Sequence, residues 1–411
     1  MARGLLFAET SPMHVLFIHQ NFPAQFGHVA AFLAKHHGFR CTFVTERPAG
    51  VSDGVERIQY RAKGGATRQT HFCSRTFENA VWHSHAIFEA LKARPDVRPD
   101  LVVAHSGFAS SVFLRELYAC PIINYFEYFY RTKGSDMDFR PDFPCDELTR
   151  LRAHARNAGL LLDLDNCDAG YSPTRWQRDR FPPAYHEKVR VIFDGIDTAL
   201  WRRDETAPRE LAGQPLPEGT RLVTYVSRGM ESMRGFDIFM KIAKRLCDRR
   251  GDVVFAVVGE DRVCYGGDEK VTGGQSFRQW VLNQDRYDLD RIRFLGRLSP
   301  PDLSRLLSIT DLHLYLTVPF VLSWSMMNAL ACAAVVLAGD TPPVREMISD
   351  GENGLLADFF DVENFARRAE EVLDDPQRFR PLGEAGAAMI RERYSLDVCL
   401  PRMLELYEAV G

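Results

Sequence analysis

Tyr225-Val226-Ser227-Arg228-Gly229-Met230-Glu231-Ser232-Met233-Arg234-Gly235-Phe236 is the stretch whose reading decides the fold. The apolar run Leu222–Val226 stops at a polar, glycine-punctuated turn and hands over to an amphipathic segment at 235–249, the pattern of a strand followed by a helix. In open α/β sheets, ligands bind beyond the carboxyl ends of the strands. Arg228 and Arg234 stand at that place, and two guanidinium groups can hold a diphosphate by paired bonds and stabilise it as a leaving group. Solvated surface arginines are the competing reading of the same pair.

Working outward, short apolar runs alternate with helical patterns almost from end to end, as βαβ units and parallel sheets require. Before the quoted stretch, strands are expected at 14–18, 41–45, 101–105, 122–125, 169–172 and 189–193, with helices at 27–37, 73–93, 107–119 and 147–163. After Leu222–Val226, strands follow at 253–258, 292–295, 312–316, 335–338 and 355–357, with helices near 302–308, 324–333, 343–349 and 362–374. The expected division is an extension at 1–12, a Rossmann-like domain at 13–200, a linker at 201–219, a second Rossmann-like domain at 220–393, and a terminal helix at 394–411 packing back on the first domain. The segment 131–146, dense in Asp, Pro and Gly, reads as a binding loop.

At 411 residues the chain suits two domains of similar size, and no apolar run approaches the length that spans a bilayer. A net charge of -4 argues against general nucleic-acid binding, which needs a concentrated basic excess. Nine scattered cysteines, with no Cys-x-x-Cys pair, fit a reducing cytoplasm. The first twelve residues lack a secretory h-region, and peripheral contact with a membrane face stays open. The oligomeric state is not readable.

In the first half, Gly27 opens a helix after the first strand, where backbone N–H groups can approach a diphosphate; a plain tight turn is the alternative. Asn124-Tyr125-Phe126-Glu127-Tyr128-Phe129-Tyr130 brings aromatics suited to stacking on a sugar and, in Glu127, a carboxylate able to orient or deprotonate an acceptor hydroxyl, unless these residues are simply core. Asp-x-Asp strings at 136–138, 163–165 and 288–290 are read as chance, so no metal and no cofactor beyond a nucleotide-sugar co-substrate is expected.

From Arg228 to Leu356 the order and spacing of Arg234-Gly235-Phe236, Val257-Val258-Gly259, Phe294-Leu295-Gly296-Arg297, Asp311, Asn328-Ala329-Leu330-Ala331-Cys332 and Asp350-Gly351-Glu352-Asn353-Gly354-Leu355-Leu356 resemble the retaining family 4 glycosyltransferases of the GT-B fold. The first half resembles them more loosely, through Gly27, Ala104-His105-Ser106, Ser172-x-x-x-Gln177 and Gly195-Ile196-Asp197. The resemblance implies two Rossmann-like domains facing each other across a cleft, with the donor nucleotide on the second domain. Arg228 and Arg234 then lie at the diphosphate without need of a metal, and His105 corresponds to a family histidine near the donor sugar. Gly259, and backbone near Arg297 and Leu298, fall on the nucleotide. The implied partners are a nucleotide-sugar donor and a saccharide, lipid-linked or small-molecule acceptor.

The chain departs from that family at Phe320-Val321-Leu322-Ser323-Trp324-Ser325-Met326-Met327-Asn328, where a pair of glutamates is usual and both are missing. Ser323, Trp324 and Ser325 still open a helix whose N–H groups can face phosphate, while Asn328 offers the ribose one acceptor oxygen, at a cost of about 1–2 kcal/mol in nucleotide binding. The leading expectation is a retaining transferase in which the donor phosphate, backed by Arg228 and Arg234, takes the acceptor proton. The rival is a catalytically weakened nucleotide- or glycan-binding protein of the same fold that supports a partner transferase. An epimerase or phosphorylase follows at a distance, and a dehydrogenase lacks its glycine fingerprint.

Overall fold

In a computed structural model that describes residues 12–108 and 111–410, two mainly parallel sheets organise the chain. The expected extension at 1–12 lies, apart from Pro12, outside the described residues. One unit takes in residues up to Thr132, then Asp146–Asp194 and the tail from Leu400; the other takes in Lys133–Cys145 and Gly195–Cys399.

The first unit holds β1 (His14–Ile18), β2 (Arg40–Thr45), β3 (Gly50–Ser52), β4 (Val55–Gln59), β5 (Leu101–His105), β6 (Ile122–Tyr125), β7 (Ala169–Ser172) and β8 (Val189–Val191) in the order β3-β4-β2-β1-β5-β6-β7-β8. All neighbours run parallel except the β3–β4 hairpin. Strands β1 and β5 are buried along their whole length, as a sheet covered on both faces demands. Sequence reading gave six strands here and the structure has eight. The extra pair turns at Asp53-Gly54, both at positive φ (52° and 78°), a dipeptide that is itself a hairpin signal. Of the helix expected at 107–119, residues 109–110 lie outside the described residues; the rest holds a 3₁₀ turn, Leu114–Glu116, and the chain leaves β5 through Gly107 in the left-handed region (φ 93°).

Burial sets the charge of β1. His19, at its exit, accepts a hydrogen bond from the Asn21 N–H on Nδ1 at 2.8 Å, and burial pushes its imidazole down to about 4. The terminal helix Leu396–Val410 packs the buried Tyr407 beside Tyr171 of β7.

In the second unit a short hairpin, β9 (Glu210–Leu211) with β10 (Gln214–Pro215), precedes a six-stranded parallel sheet. Its strands are β11 (Arg221–Gly229), β12 (Val253–Glu260), β13 (Ile292–Gly296), β14 (Leu312–Tyr315), β15 (Val336–Gly339) and β16 (Leu355–Ala357), ordered β13-β12-β11-β14-β15-β16. The segment read as a linker joins this unit: Leu211 is buried in one cluster with Leu222, Val254 and Leu306. Helix Phe236–Arg249 buries Phe236, Phe239, Ile242 and Leu246, each adding roughly 1.5–3 kcal/mol of hydrophobic stabilisation. Gly235 sets its start, since at φ 61° a Cβ there would stand 2.5 Å from the Leu316 carbonyl oxygen.

The segment read as a binding loop, 131–146, is for most of its length a structural part of the second unit. Ser135 and Asp138 close a capping box on the short helix Asp136–Phe139. Arg140 then meets Asp237 through both nitrogens (3.2 and 2.7 Å), Asp142 at 2.6 Å and the Ser232 carbonyl at 3.1 Å, with its guanidinium 4.7 Å from the Phe143 ring centre. The other Asp-x-Asp strings are likewise engaged: Asp163 accepts from Ser106 Oγ at 2.8 Å, and Asp288 pairs with Arg291 at 2.6 Å.

Two outcomes test this account. Asp237→Ala leaves a buried guanidinium with only the half-exposed Asp142 and should destabilise the second unit by about 3 kcal/mol in urea unfolding, whereas Asp142→Ala should cost far less. His19 is neutral when folded and chargeable when unfolded, so its contribution is intact above pH 6.5 and falls away by about 3 kcal/mol as the pH drops toward 4. Melting curves across that window should show a shallower pH slope for His19→Gln.

Candidate functional site

The strand order of each sheet reverses once, between β1 and β5 in the first unit and between β11 and β14 in the second. Loops leaving such neighbours diverge and open a crevice at the carboxyl edge. Of the residues singled out from sequence, Arg228, Arg234 and Ser323 lie at or just beyond the ends of β11 and β14, and Gly27 and His105 at or just beyond those of β1 and β5.

In the second unit the turn after β11 carries Glu231 to Gly235. Tyr225 Oη donates to the Arg234 carbonyl at 2.8 Å, and Asp268 receives both the Ser232 N–H and Oγ–H, at 2.8 and 2.5 Å. Arg234 is thereby held with only 6% of its surface exposed. Its Nη1 lies 3.4 Å from Thr317 Oγ1, on the loop after β14, and its guanidinium carbon sits 5.1 Å from the Tyr265 ring centre. Among the described residues no carboxylate oxygen comes within 4.0 Å of it. Arg228, more exposed, donates from Nη1 to Tyr265 Oη at 3.4 Å, which raises its already high pKa.

Tyr265 thus lies against both arginines, and its ring also packs on Phe320 at 5.5 Å. Its loop is strung on Glu231: Oε2 accepts the N–H groups of Cys264, Tyr265 and Gly266 at 2.7, 2.8 and 3.2 Å, while the buried Oε1 has no partner. Burial raises the Glu231 pKa against those bonds and the nearby Arg234 charge. Sequence reasoning missed Tyr265, Glu231, Asp268 and Thr317.

Gly259, one residue before the end of β12, takes φ 145°, and a Cβ there would stand 2.3 Å from the Ser227 carbonyl oxygen. Beyond β14, Ser323 caps helix Trp324–Ala331, accepting from the Ser325 N–H at 3.3 Å, and its own N–H donates to Tyr315 Oη at 3.2 Å. Phe320 and Asn328 are buried, and Trp324 is 42% exposed. Arg297 is exposed past the edge strand β13, two strands from β11, while Leu298 packs its side chain against the apolar cluster of Leu222 and Val254.

In the first unit His105 ends β5 and is 1% exposed. Its Nδ1 lies 2.9 Å from the Ser106 carbonyl, an oxygen that can only accept, so the proton sits on Nδ1 and Nε2 keeps a bare lone pair. Burial, then the neighbouring His19, hold its pKa well below the ordinary range. Glu127 Oε2 stands 3.8 Å from Nε2, but with a neutral ring this is no ion pair. Nε2 has no hydrogen-bond partner, and His19, Phe108 and Tyr125 wall the ring edge-on with centres 4.8–4.9 Å away. Gln177, bonded to Thr174, donates to the Glu127 carbonyl at 2.6 Å and fixes the strand end, while Gln25 donates to Oε1 at 3.3 Å. Gly27 starts helix Gly27–His36 with its N–H bonded to the Pro23 carbonyl at 2.7 Å, and a Cβ there would meet Pro23 Cβ at 2.2 Å. Packing against Pro23 requires glycine here.

The family described as glycosyl transferase family 4 group matches residues 37–201, and the family described as glycosyl transferases group 1 matches residues 208–389. Alpha-maltose-1-phosphate synthase of Mycolicibacterium smegmatis is 27% identical over 56% of this chain, a match that spans 59% of that relative's length. D-inositol 3-phosphate glycosyltransferase of Corynebacterium glutamicum is 25% identical over 71% of this chain and 68% of its own. Among solved structures, the sucrose-phosphate synthase of Thermosynechococcus elongatus superposes with a TM-score of 0.72 at 17% identity over 97% of this chain and 98% of its own. Anabaena HepE in complex with UDP and glucose gives 0.68 at 15% identity over 97% and 100%. With both halves matched by the same group of families and the fold shared with these structures, the chain belongs to the family 4, group 1 glycosyltransferases of the GT-B fold.

Proposed function

We propose that the protein moves a sugar from a nucleoside-diphosphate sugar to an acceptor hydroxyl, with retention of anomeric configuration and without a metal ion. The observation that carries this is Arg234, a buried guanidinium at the β11/β14 divergence that, among the described residues, has no carboxylate oxygen within 4.0 Å. Burying an unpaired charge is costly, and an anionic ligand removes the cost. Arg228 and Arg234 take the diphosphate, and Ser323 and Ser325 at the start of helix Trp324–Ala331 add polar contacts beside Trp324. Asn328 meets the ribose, and Gly259 with the backbone at Arg297 and Leu298 borders the base. The HepE complexes with UDP and UDP-glucose make uridine diphosphate sugars the first donors to try.

As the bond from the anomeric carbon to the diphosphate breaks, the arginines stabilise the charge that develops on the leaving oxygen. A donor phosphate oxygen accepts the acceptor's hydroxyl proton, and the new carbon–oxygen bond forms on the same face. The bare Nε2 of His105 accepts a hydrogen bond from a donor-sugar hydroxyl, and Glu127 orients the acceptor. We place this activity in a reducing cytoplasm, which nine scattered cysteines with no Cys-x-x-Cys pair suit; among the described residues no helix is long and apolar enough to cross a membrane.

Calorimetry of UDP binding tests the carrying observation. Arg234→Ala should weaken binding at least a hundredfold, about 3 kcal/mol, and Arg228→Ala about tenfold. Unchanged affinity in Arg234→Ala would remove the diphosphate from this place. Asn328→Glu should tighten UDP binding about tenfold by restoring a charged acceptor for the ribose hydroxyls. Chelation by EDTA should leave the transfer rate unchanged, and the product should keep the donor's anomeric configuration by NMR.

A further inference from the structure

Many guanidinium groups of this chain meet carboxylates: Arg94 with Glu56, Arg140 with Asp237, Arg209 with Asp311 and Arg249 with Glu363, all at 2.6–2.9 Å. Arg75, Arg152 and Arg156 do not. Among the described residues no carboxylate oxygen lies within 4.0 Å of any of them. Arg152 and Arg156 lie one turn apart on helix Glu147–Asn166, and Arg75 opens helix Arg75–Lys92, which packs beside it.

Neutral partners hold all three in place. Arg75 donates to the carbonyls of Thr70 and Arg68, both at 3.0 Å, Arg152 to Thr76 Oγ1 at 3.1 Å and Arg156 to Tyr130 Oη at 2.5 Å. Arg75 and Arg152 lie over the Phe72 ring at 5.7 and 4.7 Å, and Arg156 over Tyr130 at 3.7 Å. The Nε atoms of Arg152 and Arg156 are buried and have no acceptor. Burial first, then the positive charges of Arg156 and Arg75, depress the Arg152 pKa, so the group is crowded by like charge. The adjoining segment 61–76 adds Arg61, Lys63 and Arg68 and contains no acid.

We infer that Arg75, Arg152 and Arg156 form an oxyanion site for a phosphate group carried by the acceptor. The acceptor assignment rests on the transferase reading; the anion site does not. Forked, always-charged donors with open N–H groups suit a phosphate, which brings several charged acceptor oxygens to a place whose own acceptors are all neutral. Tyr130 ties the site to the acceptor side, because the segment leaving β6 runs from Glu127 straight into Tyr130, whose backbone is clamped by Asn157 at both N–H and carbonyl, each at 2.9 Å. The phosphate belongs either to a soluble phosphorylated saccharide or to an anionic lipid head group. Leu148 and Leu151, exposed on the same helix, make the second source worth a separate arm.

Inorganic phosphate is titrated into the full chain, into Arg152→Gln/Arg156→Gln and into Arg234→Ala, with circular dichroism checking each fold. The double variant should weaken, at least tenfold, a phosphate-binding event that Arg234→Ala leaves in place. Arg152→Lys/Arg156→Lys, which keeps the charge without the fork, should retain part of it and serves if the glutamine variant fails to fold. In parallel, vesicles of phosphatidylglycerol are sedimented with each protein. Vesicle binding lost with the double variant assigns the phosphate to a lipid head group; weakened phosphate binding without such loss assigns it to a soluble acceptor. Phosphate and vesicle binding both unchanged in the double variant overturns the site. Failure of UDP to bind, with the phosphate result intact, sinks the donor reading and leaves this one standing.

Discussion

A positive charge buried without a negative one is the constraint around which the second unit is arranged. Arg234 is held by Tyr225 through its carbonyl, by the Asp268–Ser232 pair through the turn before it, and by Gly235 through the close approach to Leu316 that follows. Against its guanidinium stand a hydroxyl and an aromatic ring, Thr317 and Tyr265. Each tolerates the cation without neutralising it, so the attraction stays available for a ligand. Glu231, the nearest acid in the turn, spends one oxygen on three backbone N–H groups of the Tyr265 loop, and burial opposes its ionisation. A carboxylate in easy reach would have stabilised the empty site and weakened the filled one.

The first unit applies the opposite choice at its own divergence of strands. There the central group is neutral: His105 is kept uncharged by burial, its proton pinned on Nδ1 by the Ser106 carbonyl, and Nε2 left as an acceptor beside Glu127. A neutral acceptor suits sugar hydroxyls, and a fixed cation suits phosphate. Both places follow from the same architecture, because a parallel sheet whose order reverses leaves its two central strands ending at one crevice.

Most of this frame was legible in the sequence, because βαβ alternation writes apolar runs that survive as strands within about three residues; β11 runs on past Val226 to Gly229 and takes in Arg228. Arg228 and Arg234 were legible for the same reason, since strand-end position follows from the run before them. Tyr265 and Asp268 were not. They join the Arg234 turn from more than a helix and a strand away, through loop contacts that no local period encodes. The β3–β4 hairpin was readable from Asp53-Gly54 and its flanking valines but lay between stronger signals. Across 107–119 the described residues hold a 3₁₀ turn, and Gly107 takes a positive φ after β5, a backbone choice that periodicity does not see. Segment 131–146 read as a binding loop because its Asp, Pro and Gly content is that of a loop; the buried pairing of Arg140 with Asp237 is a tertiary fact. Where Phe320 and Asn328 replace expected acids, sequence identified the departure, and the structure adds that Phe320 packs on Tyr265.

Turnover of the donor is the most direct test of the central claim. The protein is incubated with a panel of uridine, guanosine, adenosine and thymidine diphosphate sugars, and phosphorus NMR follows release of the nucleoside diphosphate. The account predicts slow release from at least one donor with water as acceptor, absent in the Arg234 variant. Bound nucleotide with no release from any donor, with or without saccharide acceptors, would contradict it and make the chain a binding protein on a transferase fold.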